Sequence, residues 1–451
     1  MQKYLDFLFY VALCAVGVLG FAIYSNKTDK RFMVTPTPLQ KDGVYESYEL
    51  DLSKDGLSPQ SISVAKLEDH SYMVSFLSNQ QTDSKVERNI FAVLFLPGKY
   101  SMPKSQGGWE SITSNTKIWT PPKRLATQTS IGQQTRRYIG SISSPFFFRY
   151  EDKLLLFLNT QGFSSRLTNK IAMLSTPIES LDAVFGNEGG EFFADSKAVP
   201  KGHVDSREQK PLPLSLEGHL SFAAFGDFNY FLSSGAVGLL SGSLPLGLDS
   251  KKGELGLLLP LTFRLRRSSA LFGVLDSKLA LQEVSSVEGE VALEQPSLTP
   301  MPVADNGSGV IQPYACLAAY RSYAKTREKS LYFQTCQLEN GTLQLDSLKK
   351  SQNLKQLDSL QLSTLGSTVL LLYTKRQSKQ LELAIWDGAD FMPIKEIANL
   401  QEGAIVSKTI TTNGEYGYIF YADSRGRLHA VIINEAYVSA LASENQSKEI
   451  R

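Results

Sequence analysis

Short apolar segments separated by turn residues fill the chain from residue 44 onward, and this pattern constrains the fold most. Examples are KLLLFLNT at 153–160 and TVLLLYTK at 368–375. Apolar residues at helical spacing are almost absent from this region. Strands this short, recurring at this spacing, are typical of an all-β sandwich, barrel or propeller.

Pairs of these segments with a polar turn between them predict β-hairpins. They occur near residues 61–78, 145–160, 219–238, 257–276, 311–338, 359–375 and 404–421. The region divides into six units of about 65 residues, which suits four-stranded propeller blades. A sandwich of this length would need two domains, and the sequence has no second linker. We therefore predict a six-bladed β-propeller over 44–438.

Three segments do not fit a repeating hairpin. Residues 44–52 have no neighbouring partner strand, and we predict that they pair with the last blade, near 416–435, which would close the ring and remove an exposed edge. Residues 186–213 are polar and rich in glycine and proline, which predicts a long surface insertion. Residues 439–451 are predicted as a polar C-terminal tail.

The composition excludes several classes of function. The net charge is +1 and no long basic block is present, so a nucleic-acid partner is not expected. The chain has four histidines and three cysteines without a CxxC or HxxxH spacing. We therefore expect no metal site and no cofactor.

The N-terminal segment FLFYVALCAVGVLGFAIY, residues 7–24, is uncharged and almost wholly apolar. Its length is close to that of a membrane span, so we predict a single transmembrane signal anchor after a short tail, 1–6. Residues 25–43 are a polar tether. A cleaved signal peptide is the alternative, although the charged n-region and the cleavage site are poor. Such an anchor predicts a single-pass membrane protein with its propeller exported to the periplasm or cell exterior.

The order of local patterns resembles the sialidase-like family, the group of BNR-repeat or predicted-neuraminidase propellers. The similar segments are SSPFFFRYEDKLLLFLNT, GELGLLLPLTFRL, EQPSLTPM followed by ACLAAYRSY, and GAIVSKTITTNGEYGYIFYADSRGRLHAV. The resemblance is spread over about residues 60–440. The Asp-box turn of the family is nowhere intact, and AIWDGADF at 384–391 is its nearest remnant.

The resemblance implies a site that binds the carboxylate of an acidic sugar. A sialidase uses three arginines for this purpose, because a guanidinium presents paired donors to a planar carboxylate. The family pattern places Arg321, Arg376 and either Arg425 or Arg427 in these positions. Each is at a strand end or beside a turn. The alternative is that each arginine is an ordinary surface residue.

The catalytic residues implied by the resemblance are less complete. Glu87 and its neighbour Asp83 are weak candidates for the general acid. The segment QEGAIVSK lacks the tyrosine nucleophile, and Tyr418 and Tyr421 alternate along a strand like packing residues. The arginine that opens the first blade of sialidases is also absent. Retaining sialidase chemistry is therefore not supported.

Three functions remain open from the sequence. The first is an exported, membrane-anchored propeller that binds an acidic sugar or glycan without efficient hydrolysis. The second is an active exo-glycosidase of sialidase type with relocated catalytic residues. The third is a non-enzymatic propeller that contacts other proteins at the membrane. Protein partners cannot be named from the sequence.

The segment CLAAYRSYAKTREKSLYFQTC begins and ends with cysteine. If it forms a hairpin that turns around 324–328, Ala319 lies opposite Phe333 and Cys316 lies opposite Cys336. Opposed Cβ atoms are about 4.5–5.5 Å apart, and a disulfide needs a closer pair. We predict that the cysteines are neighbours and that an exported domain could join them by a disulfide. The alternative is two buried core residues.

Overall fold

The computed structural model describes residues 43–68, 71–81, 86–97, 103–104, 108–109, 118–150, 153–162, 170–181, 184–185, 223–228, 238–240, 246–249, 255–264, 268–275, 281–287, 291–302, 314–322, 329–339 and 342–449. The predicted anchor at 7–24 and insertion at 186–213 lie outside these residues and stay predictions. None of the helices in the described part is long and apolar enough to span a bilayer.

The described strands are named in chain order. The first nine are β1 (Tyr45–Asp51), β2 (Gln60–Glu68), β3 (Ser71–Gln81), β4 (Val86–Phe95), β5 (Pro103–Lys104), β6 (Gly108–Trp109), β7 (Lys123–Thr127), β8 (Ser141–Tyr150) and β9 (Lys153–Gln161). The next ten are β10 (Lys170–Pro177), β11 (Ala223–Phe228), β12 (Gly238–Leu240), β13 (Leu246–Asp249), β14 (Leu255–Arg264), β15 (Ser268–Leu275), β16 (Leu281–Ser286), β17 (Leu293–Pro300), β18 (Tyr314–Ser322) and β19 (Ser330–Glu339). The last nine are β20 (Thr342–Leu345), β21 (Lys349–Lys355), β22 (Leu357–Leu365), β23 (Thr368–Lys375), β24 (Gln380–Trp386), β25 (Phe391–Asn399), β26 (Ile405–Thr412), β27 (Tyr416–Asp423) and β28 (Arg427–Asn434). Two α-helices, α1 (Gln128–Thr135) and α2 (Glu435–Glu449), are also described.

These strands form six antiparallel sheets and the small ribbon β5–β6 within the described residues. Sheet 1 has the order β2-β3-β4-β7, and sheet 2 has the order β8-β9-β10-β11. Sheet 3 contains β14-β15-β16, with β12 and β13 both beside β14. Sheet 4 contains β17-β18-β19, with β20 and β21 both beside β19. Sheet 5 is β22-β23-β24-β25, and sheet 6 is β26-β27-β28-β1.

The sheets follow one another around a ring. Strand β2 contacts β26 and β8, strand β22 contacts β17 and β26, and sheet 3 contacts its neighbours through β12, β14 and β15. Five sheets therefore have one continuous innermost strand, whereas β12 and β13 share this position in sheet 3. The predicted all-β propeller is confirmed with five regular blades in the described residues. The prediction of six regular blades is not met, because the innermost position of sheet 3 is divided.

Strand β1 closes the ring, as the sequence predicted. It pairs with β28 in an unbroken register from Tyr45 opposite Ile433 to Asp51 opposite Arg427. The Asn434 side chain accepts hydrogen bonds from the N–H groups of Val44 and Tyr437, so it joins this strand to the start of α2. Residues 439–449, which we predicted as a polar tail, continue that helix.

Six of the seven predicted hairpins are confirmed. They correspond to β2–β3, β8–β9, β14–β15, β18–β19, β22–β23 and β26–β27. The hairpin predicted at 219–238 stays a prediction, because nearly all of its second arm lies outside the described residues. In its first arm, β11 pairs with β10.

The hydrophobic core lies between the sheets. Among the described side chains, separate clusters fill the interfaces of sheets 1 and 2, 3 and 4, 4 and 5, 5 and 6, and 6 and 1. Sheets 1, 4, 5 and 6 are therefore covered by such clusters on both faces, and in sheet 2 the strand β9 is buried on both faces. This explains why KLLLFLNT is a continuous apolar run, since all five residues from Leu154 to Leu158 are buried.

Buried serines connect the innermost strands of neighbouring sheets. The Oγ atoms of Ser407, Ser63 and Ser297 accept hydrogen bonds from the backbone N–H groups of Ile62, Phe147 and Leu362, respectively. Each serine follows a β-bulge near the start of its strand. The starts of the innermost strands therefore lie side by side at one end of the propeller.

The register of the β18–β19 hairpin agrees with the sequence prediction. Ala319 lies opposite Phe333 and Cys316 lies opposite Cys336. The two cysteines form a disulfide, with their Cα atoms 4.9 Å apart. Both are buried in the cluster between sheets 3 and 4.

Replacing Ser297 by alanine tests the connection between sheets 4 and 5. The Leu362 N–H would lose its acceptor in a buried site, so we expect the free energy of unfolding to fall by about 1–3 kcal/mol. Urea unfolding measures this change. The control is Ser47→Ala, because Ser47 is exposed on β1 and a surface change should stay within about 0.5 kcal/mol. If Ser297→Ala and Ser47→Ala lower the free energy of unfolding equally, the hydrogen bond from the Leu362 N–H to Ser297 Oγ is contradicted.

Candidate functional site

One end of the propeller carries a β-bulge in each of its five continuous innermost strands, and we call it the bulge end. The bulges lie at 60–63, 143–146, 294–297, 357–359 and 405–407. Four non-glycine residues in or beside them have positive φ: Ser61 (52°), Ser144 (47°), Gln295 (54°) and Gln356 (59°). Such conformations cost about 1–3 kcal/mol each and cluster at functional sites, as bulges also do. The bulge end is therefore the candidate site.

All the described site residues predicted from sequence lie at this end. In each antiparallel sheet, neighbouring strands run in opposite directions. The end of the second strand from the axis and the start of the third therefore lie beside the start of the innermost strand. Arg321 is near the end of β18, and Arg376 and Arg425 are in the turns β23–β24 and β27–β28. Arg427 and Glu87 are at the starts of β28 and β4. Asp83 lies outside the described residues.

Arg321 is buried, and its guanidinium is held in a fixed orientation. It forms an ion pair with Glu294, directly opposite on β17, and donates a hydrogen bond to the carbonyl oxygen of Asp358 at the start of β22. The Nε of Arg321 is buried without a hydrogen-bond partner in the described part of the chain. The paired carboxylate fixes the planar group, while the Nε–H has no acceptor among the described residues.

Among the described contacts, none joins Arg376, Arg425 or Arg427 to Arg321. Arg425 Nη2 lies 2.7 Å from Glu402 Oε2, and Arg427 Nη1 lies 3.2 Å from Glu49 Oε1. Glu49 is on β1, the outermost strand of sheet 6, so Arg427 is directed toward the rim of the propeller. Arg376 is exposed in its turn. These residues share the bulge end but do not form one cluster with Arg321 in the described contacts.

Asp358 connects three sheets at the bulge end. Its carboxylate accepts a hydrogen bond from the N–H of Ser378 at 2.8 Å and lies 3.9 Å from Lys329 Nζ. The carbonyl oxygen of Ser378 in turn accepts a hydrogen bond from the N–H of Ile405 at 2.7 Å. The Arg321 contact with Asp358 therefore belongs to a network that fixes sheets 4, 5 and 6 relative to one another.

Lys408 is a charged residue at which neither the sequence pattern nor the family resemblance predicts a site. It lies in the middle of β26 with only 9% of its surface exposed. No hydrogen-bond or ion-pair partner is found for it within the described residues. Burial, and then the positive charge of Arg321, lower the pKa of Lys408 to about 7. The sequence signal was a lysine inside the apolar and hydroxylic strand AIVSKTITT.

The candidate catalytic residues are used for structure. The Glu87 carboxylate accepts hydrogen bonds from the backbone N–H and the hydroxyl of Thr129, in the first turn of α1, where a negative charge is favourable. Tyr418 and Tyr421 are 1% and 7% exposed. Tyr418 packs on Tyr72 with ring centroids 4.3 Å apart, which confirms that it is a packing residue.

Comparisons with known proteins find similar solved structures only at low sequence identity. No family model and no curated protein matches this chain. The chain is similar to the α-L-arabinanase of Penicillium chrysogenum at 11% identity, over 87% of this chain and 98% of that chain, with a TM-score of 0.48. It is similar to the α-L-arabinofuranosidase of Fusarium graminearum at 10% identity, over 86% and 97%, with a TM-score of 0.45. A neuraminidase-like protein of A/flat-faced bat/Peru matches at 8% identity, over 90% and 97%, with a TM-score of 0.44.

These identities and TM-scores are too low to transfer any activity. The assignment of a propeller therefore rests on the sheet topology. The predicted sialidase-like family is confirmed only as a β-propeller fold.

Replacing Lys408 by methionine tests whether the amine is buried without compensation. Below pH 7 both the folded and the unfolded wild-type chains carry the proton, so the full cost of burying the charge is present and K408M is the more stable protein. Above pH 7 only the unfolded lysine stays protonated, so this advantage should decline by about 1.4 kcal/mol per pH unit up to pH 10.5.

Urea unfolding of both proteins at pH 6, 8 and 9.5 measures the difference. Lys54→Met is the matched control, because the Lys54 side chain is 80% exposed at the same end of the propeller. If the difference in unfolding free energy between K408M and the wild type does not change with pH, the lowered pKa of Lys408 is contradicted.

Proposed function

We propose that this chain is an exported, membrane-anchored propeller of sialidase-like type that binds an acidic sugar or glycan at the bulge end, without efficient hydrolysis. The observation that carries the proposal is the fixed guanidinium of Arg321. Its ion pair with Glu294 orients it, and its Nε–H has no partner in the described residues. An oriented guanidinium with an unused donor suits a carboxylate.

A second buried polar atom supports a ligand that carries hydroxyl or amide groups. The Oε1 atom of Gln295 is buried at the bulge of β17 and has no hydrogen-bond partner among the described residues. Buried polar atoms are almost always hydrogen-bonded, so those without a partner mark places where water or a ligand belongs. Gln295 directly follows Glu294, the partner of Arg321.

The positions of the described catalytic candidates support the proposed lack of efficient hydrolysis. Glu87 caps α1 through Thr129, and Tyr418 and Tyr421 are core residues. A glycosidase needs a carboxylic acid beside the scissile bond and a nucleophile or an activated water opposite it. Among the described residues, Glu87, Tyr418 and Tyr421 are each held by structural contacts and are not available for either role.

Sheet 3 is assigned as the sixth blade in this proposal. It lies between sheets 2 and 4 in the chain and contacts both. Its innermost position is occupied by β12 and β13 in succession, which pair with opposite halves of β14. Six blades would then form the ring, and the bulge end would be one end of it.

Binding and hydrolysis can be separated by two measurements on one preparation. We expect N-acetylneuraminic acid to bind in calorimetry, and a fluorogenic sialoside to remain intact. Arg321→Lys keeps the charge but loses the planar fork, so the affinity should fall about tenfold or more. Arg136→Lys, an exposed arginine at the end of α1, is the control.

Two outcomes would change the proposal. If N-acetylneuraminic acid and larger sialosides do not bind, the proposed function is wrong. If the sialoside is cleaved and Glu87→Gln abolishes the cleavage, the active-glycosidase alternative is correct.

The disulfide supports export, because such bonds persist in oxidising compartments. We expect the full chain to remain with membranes after a carbonate wash. A soluble form that begins near Ser25 would show that 7–24 is a cleaved signal peptide.

A protein-contacting propeller is the second candidate, and the exposed arginines favour it. Arg376 and the half-exposed Arg425 present charge at the bulge end without contacting Arg321. If cross-linking of the membrane-bound chain captures a partner that is lost in R376E/R425E but kept in R321K, this candidate is preferred.

A further inference from the structure

Two nitrogen donors near the bulge end, one on sheet 6 and one on sheet 4, have no acceptor among the described residues. The first is Lys408 Nζ on β26, whose side chain is nine-tenths buried. The second is Arg321 Nε on β18. The two cations are close enough for Arg321 to disfavour the charge on Lys408.

The orientation of these side chains follows from the hydrophobic clusters. Leu317 and Ala319 of β18 pack between sheets 4 and 5. Because side chains alternate between the two faces of a strand, Arg321 lies on the same face and extends toward sheet 5. Ile410 of β26 packs between sheets 5 and 6, so Lys408 also extends toward sheet 5. The two side chains approach each other from opposite sides of the start of β22.

The surrounding charges do not neutralise both cations. Glu294 is paired with Arg321, and the Asp358 carboxylate is bound by the N–H of Ser378 and faces Lys329. Tyr421, opposite Lys408 on β27, has a raised pKa and is neutral at physiological pH, chiefly because it is buried. The described groups around the two cations therefore leave one positive charge without a counter-charge when Lys408 is protonated.

We propose that Lys408 and Arg321 together bind one compact anionic group, such as a carboxylate, above the start of β22. The anion would accept hydrogen bonds from Lys408 Nζ and Arg321 Nε and supply the missing negative charge. Binding would also favour the protonated amine, so the site would take up a proton as it fills. This inference deepens the proposed function by adding Lys408, which the family resemblance did not select.

The pH dependence of binding follows from this linkage. Lys408 in the free protein loses its proton around pH 7, whereas a carboxylate ligand stays ionised throughout the range above pH 5. Affinity that requires the protonated amine should be constant below pH 7 and fall about fifty-fold between pH 7 and pH 9.

The first experiment uses the wild-type chain with acetate as the probe, without any sugar. Calorimetry in two buffers of different ionisation enthalpy measures proton uptake on binding. We expect almost no proton to be taken up at pH 5.5, about half a proton at pH 7 and nearly one at pH 9. Binding without proton uptake at pH 8 or 9, or the absence of acetate binding, would overturn the inference.

The second experiment compares two substitutions of the same residue. K408M should weaken acetate binding at pH 6 and remove its pH dependence. K408R should bind acetate with no loss between pH 6 and pH 9, because arginine stays protonated throughout. K54M is the matched control and should retain the wild-type profile. A pH-dependent K408M would show that another group takes up the proton.

The two proposals can fail independently. If acetate binds with proton uptake at Lys408 but N-acetylneuraminic acid does not bind, the anion site is correct and the acidic-sugar function is wrong. If the sugar binds with equal affinity at pH 6 and pH 9 in wild type and K408M, the function stands and the role of Lys408 is wrong.

Discussion

The pairing of β1 with β28 is the interaction on which the rest of this structure depends. It joins residues about 390 positions apart, and it places the N-terminal strand in the same sheet as the last three strands. Sheet 6 can then contact sheet 1, where Ser407 accepts the hydrogen bond of the Ile62 N–H. Without this closure, β26 would have a neighbour on only one side. The position of Lys408 is therefore a consequence of ring closure.

The distribution of polar residues follows from the same geometry. Apolar side chains fill the spaces between sheets, so the innermost strands contribute hydroxyl and amide groups to the contacts near the axis. Ser63, Ser297 and Ser407 bind backbone N–H groups there, and Gln361 donates to Thr409. A hydroxyl or amide can be satisfied by one or two such contacts. A buried ammonium group needs a negative partner, and for this reason Lys408 indicates a binding site better than its polar neighbours do.

Local features could be predicted from the sequence, and contacts between sheets could not. The register of the Cys316–Cys336 hairpin follows from symmetry about a short turn, and the structure has that register. The short strands β12 and β13 share the innermost position of sheet 3 beside β14, a division that no local pattern reveals. The resemblance selected Arg321 as a binding residue, and Arg321 lies at the bulge end. It could not show that Glu294 binds this arginine, or that Lys408 approaches it from a strand almost 90 residues away.

Native-state hydrogen exchange of the β1 amides tests ring closure most directly. If β1 is part of the closed ring, its paired amides should exchange as slowly as those of β27 and β28, and at the rate of global unfolding. The amide of Ile62, held by Ser407 across the closure, should exchange with them. If the β1 amides exchange rapidly while β27 and β28 remain protected, the strand is only loosely attached, and the account of the closed ring is contradicted.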